Sequence, residues 1–324
     1  MAEKASIFQT VQIGIETTPG TAVAANRKLM STSIAPVVKT DSKTLFANGN
    51  KYPSLSVVNK EWVEAKIEAE QLMYNEILYL LVSLLSQPTP VQQGTTAAYK
   101  WTFTSNTFGE DAGKTFTVEQ GDALSAWRSV GVKVKGLEFT FKRDEVSVSG
   151  DAIGQPLETG ITMTANPTSM TPKPVLPVHL SLYMADSQAG LDSVQPLTRG
   201  FALEWKLTDK NVLVWPIGQN PVLIESEPKL EAKISLATDS VGLGLITQMR
   251  NAATKWFRIK AVGGVIEGTY NHTFQIDFPA NIKEAGELSD EDGIYLVKWT
   301  LAGVHDSNWG KAFQIDVITD VQTL

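Results

Sequence analysis

Hydrophobic and polar positions alternate with a period of two through two stretches far apart in the chain. In the first, Val63, Ala65, Ile67 and Ala69 share one strand face, and Glu64, Lys66, Glu68 and Glu70 line the other. In the second, Leu230, Ala232, Ile234 and Leu236 form the apolar face, opposed by Glu231, Lys233 and Ser235. Such alternation marks a half-buried strand. Four residues are identical at an offset of 167, Glu64-Ala65-Lys66-Ile67 and Glu231-Ala232-Lys233-Ile234.

The surroundings repeat as well. The first strand is followed by a helical pattern over Tyr74–Leu85, with Met73, Ile77, Leu80, Leu81, Leu84 and Leu85 at helical spacing before Pro88 and Pro90. The second is followed by one over Asp239–Ala252, with Asp239 or Ser240 as N-cap. Thr40-Asp41 and Thr208-Asp209 precede the two strands. Further strands are predicted near 99–103, 115–120, 132–141 and 145–152, answered by 256–260, 272–278, 295–302 and 312–317. The pattern predicts a mainly β protein with one helix per unit, two tandem β-sandwich or barrel domains from an internal duplication. The domains span 1–165 and 175–324, joined by an extended, proline-containing linker at 166–174. A long excursion near 105–130 is expected to carry contacts.

Composition narrows the chemistry. The 324 residues include no cysteine, so disulfides, thiol nucleophiles and Cys-ligated metals are excluded. A net charge of −7, spread over both halves, gives no footprint for gripping phosphates. The longest apolar run, Ile77–Leu85, is too short to span a bilayer, and no apolar signal region opens the chain. The protein is expected to be made and folded in a cytoplasm, away from membranes.

No catalytic constellation stands out. His179, His272 and His305 are far apart and read as surface or strand residues. Phosphate-binding, dinucleotide and nucleophile-elbow motifs are absent. Ser289–Gly293 lacks the ligand spacing of a calcium loop and reads as an acidic turn. Asn271-His272-Thr273 fits a glycosylation sequon, with nothing to suggest secretion. Carboxylates are abundant, but no pair of them is singled out as a hydrolase would need. The chain is read as a non-enzyme without cofactor or metal. Trp62, Trp101, Trp205, Trp256 and Trp299 lie in strand patterns, as core or interface aromatics or, in a carbohydrate-binding or adhesin-type module, as sugar platforms.

The opening Gln12-Ile13-Gly14-Ile15-Glu16-Thr17-Thr18-Pro19-Gly20-Thr21-Ala22 resembles the start of the major tail tube proteins of long-tailed bacteriophages, matching at Gly14, Glu16, Thr17, Gly20 and Thr21. The strand–helix–strand layout is similar too, with Ser149–Gly154 closing the first copy and Thr300–Gly303 the second. The resemblance implies a virion structural protein whose rings stack into a hollow tube for DNA. With two fused units, three copies would close a pseudo-hexameric ring. It also implies tape measure, tail terminator and distal tail proteins as partners, passing contact with double-stranded DNA, and location in the virion tail. Gly14, Glu16, Pro19 and Gly20 are candidates for a contact with a neighbouring subunit, or else form a self-contained first turn. Glu64, Glu68 and Glu70 would face an acidic lumen or a solvated outer surface.

Overall fold

The computed structural model describes residues 9–122, 125–216, 221–291 and 293–324. The backbone is mainly β. The N-terminal half contains β1 (Thr10–Ile15), β2 (Arg27–Lys28), β3 (Ser33–Leu45), β4 (Leu55–Ala69), helix α1 (Ile77–Leu84), β5 (Val91–Gln92), β6 (Tyr99–Phe103), β7 (Phe116–Gly121), β8 (Ala126–Lys142) and β9 (Val146–Gly154). Short strands β10 (Glu158–Thr159) and β11 (Thr168–Ser169) lie in the connection. The C-terminal half contains β12 (Leu180–Ala185), β13 (Gly200–Thr208), β14 (Asn211–Val214), β15 (Val222–Glu225), β16 (Lys229–Ala237), helix α2 (Ser240–Arg250), β17 (Thr254–Glu267), β18 (Tyr270–Glu291), β19 (Ile294–Gly303) and β20 (Gln314–Thr319).

The strands of the first half pair in the order β1–β7–β8–β9–β4–β3, antiparallel throughout. Those of the second pair as β12–β17–β18–β19–β16–β13, again antiparallel. Registers agree as well. Ala65 faces Ala152 and Ala232 faces Leu301. Ile34 faces Ile67 and Leu203 faces Ile234. A β-bulge between Val134 and Gly136 in β8 recurs between Ile282 and Glu284 in β18, and the extra residue is a lysine each time, Lys135 and Lys283.

Strand order in the sequence matched Tyr99–Phe103 with Trp256–Lys260, and here the structure differs. β7, not β6, stands where β17 stands in the other half. β6 instead pairs with β20 across the halves, from Ile315 opposite Phe103 to Thr319 opposite Tyr99. Order along the chain cannot distinguish a strand inside the ladder from one added between halves, because that pairing is non-local. The 105–130 excursion is likewise shorter than expected. Its latter part is β7 and the start of β8, while residues 123 and 124 lie outside the described residues.

A second joint fuses the halves. β13 pairs with β8 from Leu207 opposite Leu137 to Ala202 opposite Lys142. One cluster of buried side chains therefore runs through both halves. At its centre Trp205 packs against Phe139 (5.7 Å between rings) and Phe313 (5.3 Å), and Phe139 against Phe274 (5.4 Å). The 166–174 linker is extended but pinned to the first half: Thr168 and Ser169 pair in parallel with Arg27 and Lys28, and Met170 is buried.

Helix α1 is apolar all round and wholly buried, so it behaves as core. It begins three residues later than its apolar spacing predicts. The buried Glu76 carboxylate, just before it, accepts from the backbone N–H groups of Met30 (2.6 Å) and Thr32 (3.0 Å) and so ties the β2–β3 connection to the helix start. Asp239 caps α2, accepting from the Gly242 N–H at 3.0 Å.

Candidate assembly surface

Eight strands form one continuous antiparallel ribbon, β3–β4–β9–β8–β13–β16–β19–β18. Its middle joint shows what one half offers the other. One edge of β8 is shared: its N-terminal part pairs with β7 and its C-terminal part with β13. Beyond the ladder, the Lys210 N–H donates to the Lys135 carbonyl (3.1 Å) and Asn211 Nδ2 to the Val134 carbonyl (2.8 Å), so the carbonyls at the bulge are satisfied. Lys206 pairs with Glu138 at 3.0 Å. Leu203, Trp205 and Leu207 are all buried at the joint.

The two ends of the ribbon lack this cover. β3 pairs with β4 alone, so its outer edge has no partner among the described residues. On β18, the edge that pairs with β17 ends at Asn281, and among the described residues the stretch from Ile282 to Asp290 is paired only with β19, on its other side. The residues of β3 that match Leu203, Trp205 and Leu207 are Ile34, Pro36 and Val38. Ile34 is buried, Pro36 is half-buried and Val38 is 45% exposed. On β18, Leu288 is 68% exposed where Phe139 is buried in β8.

Each half also carries a hairpin between equivalent strands. In the first, β3 and β4 run straight out as an arm, exposing Val38, Leu45, Phe46, Tyr52, Val57 and Val58. In the second, the chain turns at Asp209 (φ 59°) and starts the separate β14–β15 hairpin. That hairpin is anchored by the fully buried Lys210. Its ammonium contacts Asp111 (2.7 Å), Ser105 Oγ (3.2 Å) and Glu225. Glu225 in turn accepts from the Asp111 N–H at 2.6 Å. Nothing in the local sequence distinguishes Lys210 from a solvated lysine. Its burial follows from the meeting of the 105–111 loop with the second half.

Gly14 and Glu16 make their contacts within the first half. A Cβ on Gly14 would come 2.6 Å from the Ala24 carbonyl oxygen, so the close backbone approach requires glycine there. The buried Glu16 carboxylate accepts from Thr115 Oγ1 (2.6 Å), Thr117 Oγ1 (3.0 Å) and the N–H groups of Gly131 (2.8 Å) and Gly20 (2.7 Å). Gly20 closes the turn at φ 78°, and Pro19 is exposed. Of the four, Pro19 is the one that stands out toward solvent.

Glu64 and Glu68 lie on the exposed face of β4, with Glu70 exposed just after it. That face is not uniformly acidic. Lys39 lies 3.7 Å from Glu64, Lys66 pairs with Asp151, and Lys298 reaches Glu204 at 2.8 Å. Asp151 hydrogen-bonds the Lys66 ammonium and holds it above the usual lysine range. Ion pairs this exposed contribute little stability, but they set the surface field: opposite charges alternate along the ribbon.

The histidines are dispersed. His272 is buried against Tyr74 (5.6 Å), and burial pushes its imidazole below the usual range. His305 packs edge-on against Phe108, and the Leu176 N–H donates to His179 Nδ1 at 3.4 Å. Among the described residues no three His, Asp or Glu side chains are grouped as metal ligands. The expected acidic turn is narrower than Ser289–Gly293: Ser289, Asp290 and Glu291 end β18, paired with β19, the Gly293 N–H donates to Asp290 Oδ1 (3.3 Å), and Asp292 lies outside the described residues. Trp101, Trp205, Trp256 and Trp299 are buried, so they are core rather than sugar platforms. Trp62 is half-buried, edge-on to Trp215 at 6.0 Å. The chain matches no protein-family model, and no curated protein matches it.

Proposed function

We propose that this chain is a self-assembling structural protein, a tail tube subunit whose two halves are copies of one unit. On this reading three chains close a pseudo-hexameric ring, and stacked rings form a conduit for DNA. The observation that carries it is the matched strand order of the two halves, joined edge to edge by β8 and β13. That joint is heterologous: two different edges meet. Repeated between molecules, a heterologous contact closes into a ring where the rotation allows. Joining the ends would also pair two sheet edges that are open in the single chain. The alternating charges of the exposed face suit a bore through which phosphates pass without adhering, by near-neutrality rather than by net repulsion. The burial of four of the strand tryptophans removes the main support for a carbohydrate-binding module.

Negative-stain microscopy of concentrated protein, beside native mass in dilute solution, tests the proposal. Rings or tubes with an open lumen, built from trimers, are the expected result. A monomer under every condition, including incubation with candidate tail-initiation proteins, would overturn it.

A further inference from the structure

The first half holds on one edge of β8 a strand that, among the described residues, the second half lacks on the matching edge of β18. The second half in turn spends both edges of β13, where the first half leaves one edge of β3 open. We infer that β3 of one copy pairs with the open stretch of β18 of the next, in the register that β13 keeps with β8. This rests on the assembly reading above and specifies its contact residue by residue.

The register follows from matched positions. Leu203, Glu204, Trp205 and Leu207 correspond to Ile34, Ala35, Pro36 and Val38, through their shared partners on β16 and β4. Phe141, Thr140, Phe139 and Leu137 correspond to Asp290, Ser289, Leu288 and Ala285, through β9 and β19. The transferred pairs are Ile34 with Asp290, Ala35 with Ser289, Pro36 with Leu288 and, beyond a second bulge of β18 between Ala285 and Leu288 that β8 lacks, Val38 with Ala285. One step further along, where Thr208 lies against Gly136, Lys39 falls opposite Glu284.

Three features of the open edges agree with this partner. Val38 and Leu288, exposed in the single chain, are placed on the face that is buried at the internal joint. Lys39 meets a carboxylate where a like charge would repel. The bulge at Ile282–Glu284 presents the carbonyls of Ile282 and Lys283, whose counterparts Val134 and Lys135 receive donors from the residues that follow β13.

The absence of cysteine makes a direct test possible, since the only thiols are those introduced. Ala35 and Ser289 are exposed, and a disulfide needs Cα atoms within about 7 Å. The Ala35→Cys/Ser289→Cys chain should oxidise to covalent oligomers ending in a closed ring of three. The shifted control Val37→Cys/Ser289→Cys should not. Lys39→Glu and Glu284→Lys should each raise the protein concentration needed for assembly about fivefold, and the double exchange should restore it. If rings or tubes form while Ala35→Cys/Ser289→Cys stays uncrosslinked, or the shifted control crosslinks equally well, the register is overturned and the tube reading stands. If nothing assembles and nothing crosslinks at any concentration, both fall.

Discussion

The two hairpins separate the halves more sharply than anything else in the fold. β13 is covered on both edges, and the β14–β15 hairpin beyond it is nailed down by one buried lysine between two carboxylates. β3 is covered on one edge, and its arm runs into solvent with its apolar side chains exposed. The strands are equivalent in pairing and unequal in cover. The difference teaches that equal pairing does not mean equal cover: β3 exposes apolar side chains along an edge that none of the described residues covers. Pro36, Lys39 and Lys43 are what temper such a 13-residue edge strand, with Val37, Val38 and Leu45 exposed, against indiscriminate pairing.

The largest expected break in this comparison is at the matched pair Trp205 and Pro36. Trp205→Ala empties the centre of the shared core and should lower the unfolding free energy by about 3–5 kcal/mol. Pro36→Ala should change that of the dilute, unassembled chain by about 0.5 kcal/mol or less. Equilibrium denaturation of both variants measures the contrast. A similar loss at both positions would mean that β3 is already covered.

Next comes the anchor. Lys210→Met leaves Asp111 and Glu225 buried without their cation and should cost about 3 kcal/mol, read in the same assay. Lys43→Met on the exposed arm should cost nothing measurable.

Acidification probes the seam between the halves, where His272 of β18 stacks on Tyr74. Burial depresses the folded imidazole, Lys173 acts in the same direction, and Asp320 opposes it. Below about pH 6.5 the unfolded chain takes up a proton that the folded one refuses. Stability should therefore be full above that pH and fall as pH drops through it. His272→Phe should flatten that part of the pH–stability profile. The smallest effect belongs to the arm tip. Replacing residues 46–53 by a short turn should leave the melting temperature of the dilute chain unchanged while reducing assembly, seen by sedimentation.

The sequence made the local parts of this fold readable. Alternation around Glu64-Ala65-Lys66-Ile67 and Glu231-Ala232-Lys233-Ile234 located β4 and β16 and the correct inward faces, because one buried side of a strand forces a period of two. The apolar spacing found α1, and Asp239 marked the start of α2. What stayed hidden depends on distant partners. The pairing of β6 with β20 joins residues more than 200 apart, and no local pattern announces it. Lys210 looks like any surface lysine until Asp111 arrives from the other half. Glu16 was legible as a special residue, but three of its four donors, Thr115, Thr117 and Gly131, come from segments the motif does not contain. The open edges of β3 and β18 were invisible for the same reason: an edge is defined by which pairing is missing.

The two bulges have a consequence for shape. An extra residue in one strand of an antiparallel pair bends and twists the sheet locally. Here Lys135 and Lys283 are inserted at matching positions of the two halves, and β18 carries a second bulge, between Ala285 and Leu288, that β8 lacks. The shared bulge bends both halves alike, and the second one adds a bend at the β18 end alone. The two lysines therefore mark where the halves share one curvature, and residues 285–288 mark where they part.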